Sequence, residues 1–269
     1  MIKQAENSNP LRVHVVGCHR SGTTLMMELL WYSYRFSGRC EHEATLFKPI
    51  PSGQMLYLTK KPPDTIRIGR AFLADPNLHV VSMIRDPRAV ASSMHPDKPG
   101  IYFSGFRRWL EYVKVIEAFS GHPRWITIRY EDLLVQPDTV QARVEDAFPF
   151  LARHRSFSDY PDGADVPPTA SLSLGGARPM DPGRIAGWRL HLPRVKDQLA
   201  RYPEVAEKII ALGYEPSDEW QACLQGVEPK RQAYRKDDHP GFFRSMETAF
   251  RFWVKSQRYL RDLRARALK

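Results

Sequence analysis

Cysteine is scarce in this sequence. Cys18, Cys40 and Cys223 are the only three in 269 residues, and no two stand as C-x-x-C. That excludes a disulfide framework and the usual zinc-ribbon spacing, and it predicts a reducing compartment. Long apolar runs are missing too. No stretch approaches the roughly 20 residues that a bilayer-spanning helix needs. The opening residues MIKQAENSNP lack the apolar core of a secretory signal, so the expected location is cytoplasmic. No internal repeat is present, which excludes a solenoid. Acidic residues are outnumbered, 30 against 40 Lys and Arg, for a net charge of +10. The excess is local, because residues 230–269 hold 12 Lys or Arg against 4 Asp or Glu. The charge therefore describes a basic tail, expected over 226–269, and not the domain expected over 1–225. No RNA- or DNA-binding signature accompanies it, so nucleic acid is not an expected partner.

The sequence is organised around Leu11 to Leu30, LRVHVVGCHRSGTTLMMELL. Val13, Val15 and Val16 make a short apolar run of the kind found in buried parallel strands. A loop from Gly17 to Thr24 follows, and Leu25, Met26, Met27, Leu29 and Leu30 then form an apolar helical stretch. Strand, glycine-bracketed loop and helix make an anion cradle, in which backbone N–H groups converge and the helix dipole adds its positive end. The spacing fits G-x-x-x-x-G-K-[ST] at Gly17, Gly22 and Thr24, but Thr23 stands where a nucleotide triphosphatase has its lysine. That lysine and a magnesium ion offset the charge of the β- and γ-phosphates. A sulfuryl group in transfer carries roughly one negative charge fewer than a phosphoryl group. A cradle with Arg20 inside it and no lysine therefore suits a phosphosulfate better than ATP with magnesium.

The rest of the chain alternates strands and helices. Met55 to Thr59 reads as a strand ending in Lys60-Lys61-Pro62-Pro63, and Asp64 is expected to cap a helix from Thr65 to Leu73. Leu78 to Ile84 reads as a second buried strand. Asp86 and Pro87 then read as N-cap and first residue of a helix to about Met94. A helix from Phe106 to Phe119 precedes a strand from Trp125 to Ile128. Residues 156–184 read as a long functional loop. Helical patterning returns from Leu192 to Leu212, and one long helix is expected from Pro240 onward. This alternation predicts an α/β fold of the P-loop NTPase-like, three-layer kind, a central parallel sheet flanked by helices. Ligand contacts belong at the C-terminal edge of such a sheet. Arg85 lies there, and Ser93 is expected on the helix face that Asp86 caps. An arginine and a serine so placed can grip one phosphate.

Two of these stretches resemble a known family. Arg20-Ser21-Gly22-Thr23-Thr24-Leu25 after a strand resembles the 5′-phosphosulfate loop of sulfotransferases that use 3′-phosphoadenylyl sulfate (PAPS), of the bacterial or carbohydrate type. The run from Arg85 to Ser93 resembles their 3′-phosphate motif. Lys60-Lys61-Pro62, Tyr130-Glu131-Asp132-Leu133 and Arg184-Ile185-Ala186-Gly187-Trp188-Arg189 resemble shorter segments of that family, the last departing from its pattern at an alanine. The resemblance runs from Arg12 to Tyr214. It implies transfer of a sulfuryl group from PAPS to a hydroxyl, without a metal and with adenosine 3′,5′-bisphosphate as product. The implied acceptor is a carbohydrate or lipid-linked glycan. The implied cofactor-binding residues are His19, Arg20, Ser21, Gly22, Thr23, Thr24, Arg85, Ser93 and Arg184.

In-line transfer needs cations for the leaving group and a base for the hydroxyl. Arg20 and Lys60 are the candidate cations, with Lys61 as the alternative to Lys60. Glu43 is the candidate base, because Glu43-Ala44-Thr45-Leu46-Phe47 resembles a glutamate segment of carbohydrate sulfotransferases. Glu41 and His42 compete with it, the latter because imidazole titrates near neutrality. In the tail, Phe242, Phe243, Phe250, Trp253, Tyr259 and Leu260 are expected on one apolar helix face. Such a face packs on the domain or a second subunit, docks on an anionic membrane surface, or accompanies cations that bind an acidic polysaccharide. The rival activity is that of a P-loop nucleotide kinase-like phosphotransferase, with the strand ending near Asp86 as Walker B.

Overall fold

The computed structural model describes residues 9–95, 98–164, 168, 180–232 and 242–267. Its strands are β1 (Leu11–Gly17), β2 (Gly38–Arg39), β3 (Leu56–Lys60), β4 (Leu78–Ile84), β5 (Met94–His95), β6 (Lys98–Tyr102) and β7 (Trp125–Arg129). β5 and β6 make a small antiparallel ribbon. The other five form one parallel sheet in the order β2-β3-β1-β4-β7. The chain leaves central β1 toward β3 and returns on its other side to β4. This is the topological switch point outside which such sheets bind ligands.

Side chains on β1 alternate between two buried layers, as a strand with helices on both faces requires. Val13 and Val15 pack with Met26, Met27 and Leu30 of α1 (Thr23–Ser33). Val16 joins the opposite layer with Phe72 of α2 (Gly69–Ala74) and Ile116 from further along the chain. Arg12 and His14 share the parity of Val16 and are also buried, at 4% and 0% exposure. Buried polar groups need partners, and these have them. Arg12 donates to the carbonyls of Leu46 and Lys48. His14 Nδ1 lies 2.7 Å from the Thr59 hydroxyl, and Nε2 lies 3.3 Å from the Asp64 carboxylate. Burial lowers the His14 pKa despite the nearby Asp64, so the ring is neutral.

Asp64 does not cap a helix. Its carboxylate accepts from the Leu46 N–H at 2.8 Å and the Thr45 hydroxyl at 3.1 Å, across the chain. Pro62–Arg67 therefore forms a 3₁₀ turn, with α2 beginning only after it. The helix that opens at Pro87 is also shorter than its sequence suggests. α3 (Pro87–Ala91) starts as expected, with the Asp86 side chain accepting from the Arg88 N–H. It ends where the Ser92 hydroxyl donates to the Arg88 carbonyl at 2.8 Å. Ser93 consequently stands just beyond the helix and leads into β5.

α4 (Phe106–Ala118) precedes β7, which turns into α5 (Tyr130–Val135) and then α6 (Pro137–Ala147). Of the expected long loop, Phe157–Asp159 and Tyr160–Gly163 are short helical turns, and 165–167 and 169–179 lie outside the described residues. A 3₁₀ segment, Pro182–His191, follows. The helical pattern after it divides at Pro203 into Leu192–Arg201 and Glu204–Ala211.

The helix Phe242–Ala267 packs on the domain through Phe252 and Tyr259, whose rings lie 6.0 and 5.8 Å from Phe47. The Tyr259 hydroxyl donates to Asp75, and Arg67 donates to the Thr248 carbonyl. Phe250 and Trp253 are not on that face and remain exposed. At 100° per residue, positions 250 and 253 lie about 100–180° around the helix from 252 and 259, so the aromatics divide between two faces. The side chains of Phe242 and Phe243 lie outside the described residues. Among the described residues, no helix is long and apolar enough to cross a membrane.

Candidate active site

The loop between β1 and α1 is tightly fitted. Gly22 has φ 89°, and a β-carbon there would meet the Tyr130 ring at 2.4 Å. Gly17, at φ 137°, leaves no room either, since a β-carbon would lie 2.3 Å from the Met83 carbonyl oxygen. Between them Arg20 takes the left-handed conformation, φ 67°, alone among the described non-glycine residues. For an L-residue this costs about 1–2 kcal/mol, and strained backbone of this kind gathers at functional loops.

That conformation sends the Arg20 side chain toward the end of α3, where its Nε donates to the Ser93 hydroxyl at 2.7 Å. Arg85 donates to the Arg20 carbonyl at 2.9 Å and lies over the Tyr130 ring at 4.3 Å. The Arg85 Nε is buried without a hydrogen-bond partner. Burial lowers the Arg20 pKa, and the Arg85 charge lowers it further. Guanidinium stays charged in proteins, so two neighbouring cations repel until an anion lies between them.

These groups line a cavity of about 360 Å³. Gly22, Thr23 and Thr24 line it together with Arg20, Arg85 and Ser93 and with Tyr130, Leu134 and Tyr160. Arg184 and Trp188, from the 3₁₀ segment, complete the lining. Arg184 lies 3.6 Å from the Asp181 carboxylate. Lys60 adjoins this lining through a 2.9 Å bond from Nζ to the Thr24 hydroxyl. It is 1% exposed, and burial lowers its pKa, although Glu43 opposes the shift. Glu43 Oε1 lies 3.9 Å from Lys60 Nζ, and Oε2 accepts from Lys61 Nζ at 2.6 Å. Thr24, Lys60, Glu43 and Lys61 thus form one chain of contacts leading out from the cradle. Glu41 and His42 are exposed beside it.

Two residues of the motif face elsewhere. His19 packs its ring against Phe103 and Tyr112, with centroids 5.4 and 5.8 Å away. Ser21 is fully buried, and its hydroxyl donates to the Cys18 carbonyl at 2.6 Å. Neither is among the residues lining the cavity. The family resemblance implied both as cofactor-binding residues; in the structure their side chains pack away from the cavity, on either side of the left-handed Arg20.

Tyr130, Trp188 and Arg88 carry no residue-level role in the sequence pattern, although each lies in a segment singled out there. Tyr130 both fills the space a β-carbon would take at Gly22 and supports Arg85. Arg88 is 1% exposed, with its guanidinium 4.0 Å from the Trp188 ring and 4.6 Å from the Trp220 ring. It pairs with Asp86 and with Glu215, each at 2.7 Å. Asp86 gives both carboxylate oxygens to Arg88, so that carboxylate is turned away from the cradle. Behind it, Glu131 accepts the Asp86 N–H at 3.0 Å, and burial raises the Glu131 pKa.

By sequence, no family model and no curated protein matches this chain. In fold it is similar to solved sulfotransferases. The sulfotransferase domain from the curacin biosynthetic pathway superimposes with a TM-score of 0.46 at 15% identity, over 67% of this chain and 91% of that one. Mouse sulfotransferase SULT7A1, complexed with PAP, does so with a TM-score of 0.47 at 14% identity, over 81% of this chain and 90% of that one. Sulfotransferase STF1 from Mycobacterium tuberculosis H37Rv gives 0.39 at 11% identity, over 67% and 78%. All three scores lie below 0.5, so the chemistry rests on the residues of the cavity itself.

Proposed function

We propose that this chain transfers a sulfuryl group from PAPS to a hydroxyl of a carbohydrate or lipid-linked glycan, in the cytoplasm. The observation that carries the reading is one cavity joining a lysine-free anion cradle to a second cationic station, Arg85 with Ser93. A donor bearing a phosphosulfate at one end and a 3′-phosphate at the other fits this spread of donors. The unpartnered Arg85 Nε supplies a buried donor for the second phosphate, and the cavity is of a size usual for small-ligand sites.

PAPS supplies the sulfuryl group, and the residues of the chain do the rest. The N–H groups of the loop and the start of α1 hold the 5′ end, with Thr23 and Thr24 beside it. Arg85 and Ser93 hold the 3′-phosphate, and Arg184 completes the lining of the cavity. As the acceptor oxygen bonds to sulfur and the sulfur–oxygen bond to the 5′-phosphate breaks, negative charge grows on that phosphate. Lys60, through Thr24, and Arg20 stabilise it there. Glu43 takes the acceptor proton on Oε1, the oxygen that has only the longer lysine contact. No metal is assigned a role.

Calorimetric titration with adenosine 3′,5′-bisphosphate, AMP and ATP–magnesium tests the reading. The bisphosphate is expected to bind at least about tenfold more tightly than AMP, with that advantage lost in Arg85→Ala. Preference for ATP with magnesium would overturn it in favour of the kinase-like phosphotransferase.

A further inference from the structure

Among the described side chains, packing of the helix Phe242–Ala267 uses one side of it. Phe252, Ser256 and Tyr259 face the domain, where Phe47 and Arg67 receive them. Away from the domain Met246, Phe250 and Trp253 are 56%, 65% and 54% exposed. They follow one another at i, i+4 and i+7 along a single stripe, and the rings of Phe250 and Trp253 stack at 6.0 Å. The same stripe continues into Leu260, Arg261 and Arg264, which border a shallow groove with Trp253, Arg258 and Arg70. Residues 242–267 contain seven Lys or Arg against two carboxylates. Of the latter, Glu247 is paired with Arg251 at 3.3 Å.

We infer that this outer face docks the protein on an anionic lipid bilayer, with the helix lying in the plane of the interface. A bilayer offers phosphates at the level of the arginines and an apolar layer beneath them for the Met, Phe and Trp side chains. A polyanion in solution matches the charge and provides no such layer. A second copy of this chain would bring one arginine stripe against another, which like-charge repulsion disfavours. The inner face packs the helix on the domain through Phe252 and Tyr259, so docking orients the whole domain and not merely a tail. Phe47, the contact on the domain, is four residues from Glu43 in the chain. The docked helix therefore lies on the segment that carries the proposed base. The inference does not depend on the sulfuryl-transfer reading, because it concerns only surface residues outside the cavity.

Co-sedimentation of the full chain with vesicles tests it, using phosphatidylcholine alone and an equimolar mixture with phosphatidylglycerol. Binding to the mixed vesicles, weakened by salt and absent for phosphatidylcholine alone, is the expected result. The double variant Phe250→Ala/Trp253→Ala should bind at least about tenfold more weakly while keeping its circular dichroism and its affinity for adenosine 3′,5′-bisphosphate. Brominated acyl chains should quench tryptophan emission in the native chain, and most of that quenching should vanish in Trp253→Phe. Equal binding to both vesicle types, or none to either, would overturn the proposal. So would undiminished binding by the double variant, which would leave charge alone as the cause. A dimer in sedimentation velocity that dissociates on Phe250→Ala/Trp253→Ala would assign the face to a second copy instead.

Discussion

Gly22 and Tyr130 occupy what would otherwise be one volume, and that contact joins the anion loop to the support of Arg85. Gly22→Ala must therefore both adopt a left-handed φ and displace the ring. Its expected cost is about 1–2 kcal/mol from the backbone alone, with further loss from the clash. A urea midpoint gives the stability, and a titration with adenosine 3′,5′-bisphosphate should show affinity lowered about tenfold or more. Combining it with Tyr130→Ala should remove the clash but not the backbone cost. Lys60 permits a second separation. It bonds to Thr24 and lies outside the cavity wall, so Lys60→Ala should leave PAPS affinity nearly unchanged, because the extra charge on the 5′-phosphate appears only as the bond to sulfur breaks. Release of bisphosphate from PAPS should nevertheless slow by about 10²–10³, as when one donor to a developing charge is removed. Equal losses in binding and turnover would instead make Lys60 a binding residue. The glycines, Arg20 and Arg85 were legible in the sequence, because the glycine spacing marks the loop that holds Arg20 and an apolar run marks the strand that ends before Arg85. The inward turn of Ser21 and the packing of His19 were not, because they depend on the Cys18 carbonyl and on Phe103 and Tyr112, partners that only the folded chain supplies.

Among the elements, β1 was read from Val13, Val15 and Val16, and the α3 start from Asp86 and Pro87. Both signals are local. What the pattern concealed is that Arg12 and His14 are buried in the same strand. There they clamp the segment of Leu46 and Lys48 through Asp64 and backbone carbonyls. The resulting pH dependence has a definite sign. Above its ordinary value of 6.5, His14 is neutral in both folded and unfolded chains. As the pH falls below 6.5, the unfolded chain takes up a proton that the buried ring, with its lowered pKa, does not. Stability should then fall by at most ~1.4 kcal/mol per pH unit until the folded pKa is reached. Glu131 acts in the opposite sense, since its raised pKa makes the folded chain the better proton binder above its ordinary value of 4.5. Urea unfolding of His14→Asn beside the native chain at several pH values isolates the histidine. A shallower acid slope in the variant is expected, and equal slopes would assign the dependence to other groups.

At the scale of the molecule, Arg88 binds together parts that are distant in sequence. It takes Asp86 from the start of α3, Glu215 from beyond the helix Glu204–Ala211, and lies between the rings of Trp188 and Trp220. Removing it strands a buried carboxylate, so Arg88→Ala should cost about 3–5 kcal/mol in urea unfolding. Arg88→Lys should recover only part of this, because an ammonium neither stacks on two indoles nor forms a forked pair. Full recovery would show that only the charge mattered.

Local sequence was enough to read the strand–loop–helix cradle, the parallel alternation and the strand-end arginine. These depend on glycine spacing, apolar periodicity and a Pro-initiated helix, whose energetics lie within a few neighbouring residues. Tertiary structure decided which distant groups meet. The strand order set β1 beside both β3 and β4, bringing Lys60 to Thr24 and Arg85 to Arg20. Packing against Phe47 chose which aromatic face of the final helix is buried and which is left for another surface. Those outcomes depend on desolvation and contact between residues far apart in the chain, and no local pattern encodes a partner that only folding supplies.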